Sequence, residues 1–420
     1  MSRPEIESTG LSILQESARI RDELLRVQLS VQACAATHES KLLEGVRQRL
    51  GYDEVGAVDL SGLVNTRATT RPMITAGALA RVLPISFESA ETTRRGRQAA
   101  TDIFSYLDDR LHASVGGCST HNPEESIEFA ERYVIPWRKK YGPYVEIQKR
   151  EYLEKPRTPR PKLEWKGFTY DPLLDDSFDI NLGLVAARMI LCRTTHLGAP
   201  TVMEMLNANT PQYLDGLITV GVIGARNATD QTSIERGAGS SSVLEIKNPL
   251  SGDINAAAMA ARSARLNHTF LGISMNGWPV QVMSTGNNTA HIVLRGSSSG
   301  PNFSSDHVEE AKKFLRESGQ RESLSVDLSH ENSGKNAPNQ LPVAREVMGQ
   351  VADGEEAIRG FHAEINLVGG RQDLKDKEGK LRVLQPGVSI TDECSPPEVG
   401  EEILDMAAEA VAKRRERRAA

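Results

Sequence analysis

An α/β barrel of eight parallel strands, (β/α)8, is the fold this sequence predicts, with a helical arm over residues 1–65 preceding a barrel over residues 66–420. Three observations predict it. From about residue 111, short apolar or β-branched runs alternate with helical stretches, as in a parallel α/β sheet. The runs number eight, the count at which such a sheet closes on itself. Nearly every run ends on a polar or charged residue, and in a closed barrel those ends share one mouth.

The elements follow in chain order. Residues 11 to 50 read as a helix, because Ile13, Ile20, Leu24, Val27, Val31 and Cys34 recur at spacings of three, four or seven, and Ser12 with Gln15 offers a capping box. Its apolar stripe needs a partner, on the main domain or on a second copy, so a homo-oligomer (dimer or tetramer) is expected. The eight strands are expected at Leu111 to Cys118, Tyr144 to Leu153, Pro200 to Leu206, Leu217 to Ala225, Ser242 to Lys247, His291 to Gly296, Leu324 to His330 and Arg359 to Leu367. Two further runs, Thr269 to Ser274 and Val280 to Ser284, read as a β-hairpin inserted before the sixth strand. The whole is a TIM barrel with an N-terminal extension.

Composition narrows the class. Hydrophobic residues at 39% and charged residues at 25% match a globular protein in water. No apolar run is long enough to span a bilayer, and the first residues carry no basic and apolar leader, so a cytoplasmic location is expected. The four cysteines, Cys34, Cys118, Cys192 and Cys394, show no zinc-finger or disulfide spacing, which suits a reducing compartment. A net charge of -6 argues against nucleic acid as a partner. The basic run Lys413 to Arg418 follows an acidic stretch and reads as cations complementing a helix C-terminus.

Two sets of residues close the strands. Arg150, Lys155, Arg157, Arg226, Lys247 and Arg295 would crowd six cations at one mouth, which calls for anions to neutralise them; one or two phosphates plus a carboxylate suit forked arginines and point-charge lysines. Singly, each could as well be a surface ion-pair residue. The other set, Cys118, His330, Glu364 and Asp392, mixes sulfur, nitrogen and oxygen donors, a chemistry that fits Mn, Fe, Co or Zn better than Mg or Ca. Spacing alone leaves Cys118 open as inert packing and His330 as a satisfied core histidine.

Several segments resemble one known family. Gly116-Gly117-Cys118-Ser119-Thr120-His121-Asn122-Pro123 is similar to the GPCSIHDP segment of type I 3-deoxy-D-arabino-heptulosonate 7-phosphate (DAHP) synthases, and Glu154-Lys155-Pro156-Arg157-Thr158 matches their EKPRT segment unchanged. Trp165-Lys166-Gly167, Thr210-Pro211-Gln212-Tyr213, Ile223-Gly224-Ala225-Arg226, Lys247-Asn248, His291 to Gly296, Asp327-Leu328-Ser329-His330 and Ser389-Ile390-Thr391-Asp392 follow in the family's order, over residues 72 to 412.

The resemblance implies a metal-dependent transferase that condenses phosphoenolpyruvate with D-erythrose 4-phosphate in the shikimate route to aromatic amino acids. It implies that Cys118, His330, Glu364 and Asp392 ligate one divalent metal ion. Arg226 and Arg295 would hold the phosphoenolpyruvate phosphate, Arg150, Lys155 and Lys247 its carboxylate, and Arg157 with Thr158 the aldehyde's phosphate. Glu204 and Ala225, closing the third and fourth strands, are counted with the substrate-binding positions. Lys155 is the expected proton donor, with neighbouring cations expected to lower its pKa.

Departures fall mostly on the aldehyde half. Gly117 stands in place of a proline, Asn227 in place of a threonine, and Pro249 where a glycine usually follows the asparagine. The loop Pro159 to Glu164 after the EKPRT segment is longer and more charged. Two alternatives therefore stand beside a DAHP synthase: a sibling enzyme using another phosphorylated or amino-substituted aldehyde, and a non-catalytic regulatory paralogue that binds a partner through the arm.

Overall fold

The computed structural model describes residues 12–49, 68, 70–157 and 164–419. Among the described residues ten strands form in order: β1 Leu111–Gly116, β2 Val145–Arg150, β3 Thr201–Glu204, β4 Val220–Ile223, β5 Val243–Lys247, β6 Thr269–Ile273, β7 Pro279–Met283, β8 His291–Leu294, β9 Leu324–Asp327 and β10 Ile358–Glu364. Eight of them close a parallel barrel in the order β1-β10-β9-β8-β5-β4-β3-β2, and β6 with β7 makes a separate antiparallel hairpin. The ring shuts where His112 to Gly116 of β1 pair in register with Gly360 to Glu364 of β10. Every residue of the eight barrel strands is buried, which is why they read as near-continuous runs.

The strands stop earlier than the runs suggested. β1 ends at Gly116 and β9 at Asp327, so Cys118 and His330 lie in the loops just beyond. His330 has a positive φ of 51°, a left-handed backbone that cannot continue a strand.

The arm forms one helix, Ile13–Arg49, and its capping box is present: Ser12 N donates to Gln15 Oε1 at 3.0 Å, and Gln15 N donates to Ser12 Oγ at 3.3 Å. Ile13, Ile20 and Leu24 pack on the helix Ile180–His196, with Arg21 paired to Asp179 at that helix's N-terminus. Val27 and Val31 instead stand 61% and 60% exposed. The arm helix has 37 residues and its partner 17, so the partner cannot cover the whole arm. Cys34 and the expected boundary at residues 65/66 lie outside the residues described at side-chain or backbone level.

The C-terminal helix Pro397–Ala419 packs on Gln340–Ala352. Its basic end is tied down: Arg415 Nε donates to Asp109 Oδ2 at 2.8 Å, Arg417 pairs with Asp353 at 2.8 Å, and Arg418 pairs with Glu356. Those pairs make the run a clasp on the acidic underside of the barrel. Among the described residues no helix is long and apolar enough to cross a membrane.

Candidate active site

The barrel brings the donor set together at its C-terminal mouth. Cys118 Sγ lies 3.3 Å from Asp392 Oδ2, and His330 Nε2 lies 3.8 Å from Glu364 Oε1. Lys155 Nζ stands among them, donating to Cys118 Sγ at 2.5 Å and pairing with Asp392 at 3.3 Å. Arg150 Nη2 meets Glu364 Oε1 at 2.9 Å across the lumen from β2 to β10. Ser329 Oγ donates to Glu364 Oε2 at 2.7 Å, so Arg150 and Ser329 hold one carboxylate oxygen each, while Gln340 Nε2 donates to the Glu364 backbone carbonyl at 3.0 Å and fixes the chain beneath it.

These donors fit a borderline divalent ion in kind, since thiol, imidazole and two carboxylates face one small volume. As they stand, no three acidic, thiol or imidazole groups among the described residues are disposed to hold an ion. Two protein cations, Lys155 and Arg150, sit on the donors and occupy the positive role there.

Electrostatics agree with that arrangement. Burial pushes the Cys118 thiol well above its usual range, with Glu364 adding to the rise. Lys155 beside Asp392 holds that carboxyl well below the usual carboxylate range. For Lys155 itself, burial favours the neutral form, yet Cys118, Asp392 and Glu364 outweigh it and raise the pKa. This corrects the expectation of a lowered value, because the Cys118 sulfur and the Asp392 and Glu364 carboxyls outweigh the neighbouring cations at the ammonium.

The expected crowd of cations is also corrected. Lys247 pairs with Asp327 at 2.7 Å, Arg295 with Glu331, Arg157 with Glu164 at 3.6 Å, and Arg150 and Lys155 with the donors above. The protein supplies its own counter-charges, so the cations alone do not demand a polyanion. Arg226 is exposed at the mouth beside half-buried Ala225. Buried Glu204 lies against Gly224, where an added Cβ would come within 1.9 Å of Glu204 Oε1; the glycine is needed for that approach. Thr158 lies outside the described residues, and Arg157 donates to the Trp165 carbonyl at 2.8 Å.

Residues to which the sequence assigns no role of their own support this site. Asp327 serves two groups, since His330 Nδ1 lies 2.8 Å from the same oxygen that takes Lys247. Asn248 Oδ1 accepts from Arg295 N at 2.8 Å and from Asn302 Nδ2 at 3.1 Å, stapling the ends of β5 and β8. Glu154 of the EKPRT segment is buried and accepts from Thr210 Oγ1 at 2.6 Å and Asn207 N at 2.9 Å, so it braces the loop that carries Lys155.

Comparison with known proteins points one way. A family model described as the DAHP synthetase I family matches residues 84–405. A phospho-2-dehydro-3-deoxyheptonate aldolase of Haemophilus influenzae is 38% identical over 338 residues, 80% of this chain and 91% of the relative. The Phe-sensitive phospho-2-dehydro-3-deoxyheptonate aldolase of Escherichia coli K12 is also 38% identical over 338 residues, 80% of this chain and 94% of its own. A solved structure of the Francisella tularensis phospho-2-dehydro-3-deoxyheptonate aldolase superposes with a TM-score of 0.79 at 37% identity, covering 82% of this chain and 98% of that one.

Proposed function

The chain belongs to the DAHP synthetase I family, and from that premise we propose how its barrel mouth carries out the reaction. The reaction is the aldol-type condensation of phosphoenolpyruvate with D-erythrose 4-phosphate and water, giving 3-deoxy-D-arabino-heptulosonate 7-phosphate and phosphate for aromatic biosynthesis. The observation that carries the reading at the level of residues is the meeting of Cys118, Lys155, Asp392, Glu364 and His330 at one end of the barrel.

Cys118, His330, Glu364 and Asp392 would hold one divalent ion of the Mn, Fe, Co or Zn kind. When bound it supplies Lewis-acid polarisation of the aldehyde carbonyl and takes up the donor charge that Arg150 and Lys155 now neutralise. Arg150, Lys155 and Lys247 then face the enol carboxylate, with Arg226 and Arg295 on its phosphate. Carbon 3 of the enol attacks the aldehyde carbon, and Lys155, held beside Cys118 and Asp392, gives a proton to the oxygen that becomes an alcohol. Water adds at carbon 2, and phosphate leaves as its C–O bond breaks.

A second reading concerns the aldehyde alone. Arg157, the residue for the aldehyde's phosphate, is turned toward the Trp165 carbonyl and Glu164 of the lengthened loop. That favours a sibling synthase with a different phosphorylated or amino-substituted aldehyde. We place the enzyme in the cytoplasm and expect a homo-oligomer, supported by the uncovered Val27 and Val31 of the arm.

The test is the loss of phosphoenolpyruvate absorbance with erythrose 4-phosphate, on metal-stripped protein with and without Mn(II). Metal-dependent turnover supports the full reading. Phosphoenolpyruvate binding without turnover moves the aldehyde assignment to the second reading, and neither binding nor turnover overturns both.

A further inference from the structure

Beneath the mouth runs a buried polar column that the reaction as described does not use. Glu245 on β5 faces His362 on β10 at 2.7 Å and His291 on β8 at 3.2 Å, with His112 on β1 at 3.8 Å. All four side chains are buried, and β8 and β9 stand between β5 and β10 in the sheet, so the contact crosses the lumen. Barrel interiors are ordinarily filled by layers of branched apolar side chains. A buried carboxylate among imidazoles, with both His112 nitrogens lacking a hydrogen-bond partner, costs stability relative to such a filling. Its presence calls for a function.

The column reaches the active site at one point. His362 Nδ1 lies 3.3 Å from Arg150 Nη1. Arg150 is 1% exposed, with Nη2 on Glu364, Nε 3.4 Å from the Gly117 carbonyl, and its guanidinium 4.0 Å over the Tyr152 ring. A guanidinium only donates, so His362 Nδ1 must accept, which places the ring N–H on Nε2. That nitrogen is the one 2.7 Å from Glu245 Oε2, although the N–H is not aimed straight along the line. The Glu245 carboxylate beside Nε2 suits the tautomer in which His362 can take a hydrogen bond from Arg150.

We propose that His362 is a positioning residue for the phosphoenolpyruvate carboxylate: held by Glu245, it fixes the rotation of the Arg150 guanidinium against the pull of Glu364. The inference rests on the reading of Arg150 as a carboxylate ligand given above. Arg150 has a long side chain, and with His362 removed the carboxylate of Glu364, 2.9 Å from Nη2, would draw the fork toward the donor set and away from the substrate.

The test compares metal-loaded wild type with His362→Met and His362→Asn, reading KM for both substrates, kcat, and phosphoenolpyruvate affinity by calorimetry. Methionine fills the space but cannot replace the acceptor, whereas asparagine sets an oxygen near the place of Nδ1. The expected result is a rise of about tenfold in KM and Kd for phosphoenolpyruvate in the methionine variant, the worth of one hydrogen bond to a charged group. Its kcat should stay within about threefold and KM for erythrose 4-phosphate should be unchanged, because ground-state orientation of one substrate is what is lost. Asparagine should restore most of the affinity. An unchanged KM for phosphoenolpyruvate, a fall in kcat alone, or an asparagine variant no better than methionine overturns the proposal. If wild type itself neither binds nor consumes phosphoenolpyruvate, the functional reading fails and this inference with it; if wild type turns over and the methionine variant matches it, the inference alone fails.

Discussion

Lys155 Nζ lies 2.5 Å from Cys118 Sγ, so the expected proton donor and the expected metal thiol share one hydrogen bond. That position keeps the ammonium protonated, as a proton donor requires. Lys155→Met removes the donor and leaves the four metal donors in place. Its kcat is expected to fall by roughly 10²- to 10⁴-fold, the usual worth of a positioned proton donor, as measured by steady-state phosphoenolpyruvate consumption. A loss below about threefold would remove Lys155 from the chemistry.

Cys118 tests the metal half separately. Its buried thiol has an elevated pKa, so it gives up its proton only in exchange for another cation. Stripping divalent ions with a chelator is expected to abolish turnover, and Mn(II) to restore it. Cys118→Ala is expected to bind Mn(II) at least about tenfold more weakly in equilibrium dialysis, a loss of the order seen when a ligating group is disturbed. Equal Mn(II) binding by the variant would reassign the thiol to packing.

Much of the fold was legible because burial on both faces writes parallel strands as apolar runs, and all eight, with the inserted hairpin, lie where the runs are. Cys118, Lys155, His330 and Asp392 were legible through the segments that carry them, and Glu364 as a polar residue ending the eighth run. Asp327 and Glu331 were not recognised as counter-ions to Lys247 and Arg295, because such pairs join strands far apart in sequence. The polar column has a signal in the sequence: His112, Glu245 and His362 each stand between apolar neighbours inside a strand run. The arm's stripe is legible as apolar, but how much of it is covered depends on what packs against the arm, which no periodicity reports.

Glu154 gives the structure a pH signature. Burial raises its pKa from 4.5 to about 7, against the pull of hydrogen bonds from Thr210 and the Asn207 backbone. Between those values the folded protein holds a proton that the unfolded chain has released. The stability attached to this group is therefore whole below about pH 4.5 and is lost as pH rises through about 7. Glu154→Gln cannot titrate. The stability of wild type relative to this variant is expected to decline by on the order of 1–3 kcal/mol from about pH 5 to about pH 8 in urea unfolding. A difference that grows with pH would show that the carboxyl is ionised throughout.

Gly183 carries the last expectation, because it is where the helix Ile180–His196 meets the turn that follows the EKPRT loop. A Cβ built there would lie 2.3 Å from the Thr169 carbonyl oxygen and 2.9 Å from that of Phe168, both backbone atoms that cannot swing aside. Thr169 N in turn donates to the Leu153 carbonyl at 3.1 Å, next to Glu154 and Lys155. Gly183→Ala improves helix propensity by about 1 kcal/mol, but overpacking against backbone costs about 1–3 kcal/mol and more where nothing can yield. The second effect wins at this separation. The variant is expected to melt several degrees lower and to lose kcat through displacement of Lys155, with Mn(II) binding retained, since no metal donor touches the turn. A rise in melting temperature would mean that the helix can move off the turn, and a loss of Mn(II) binding would mean that the shift travels through Lys155 to Cys118 and Asp392.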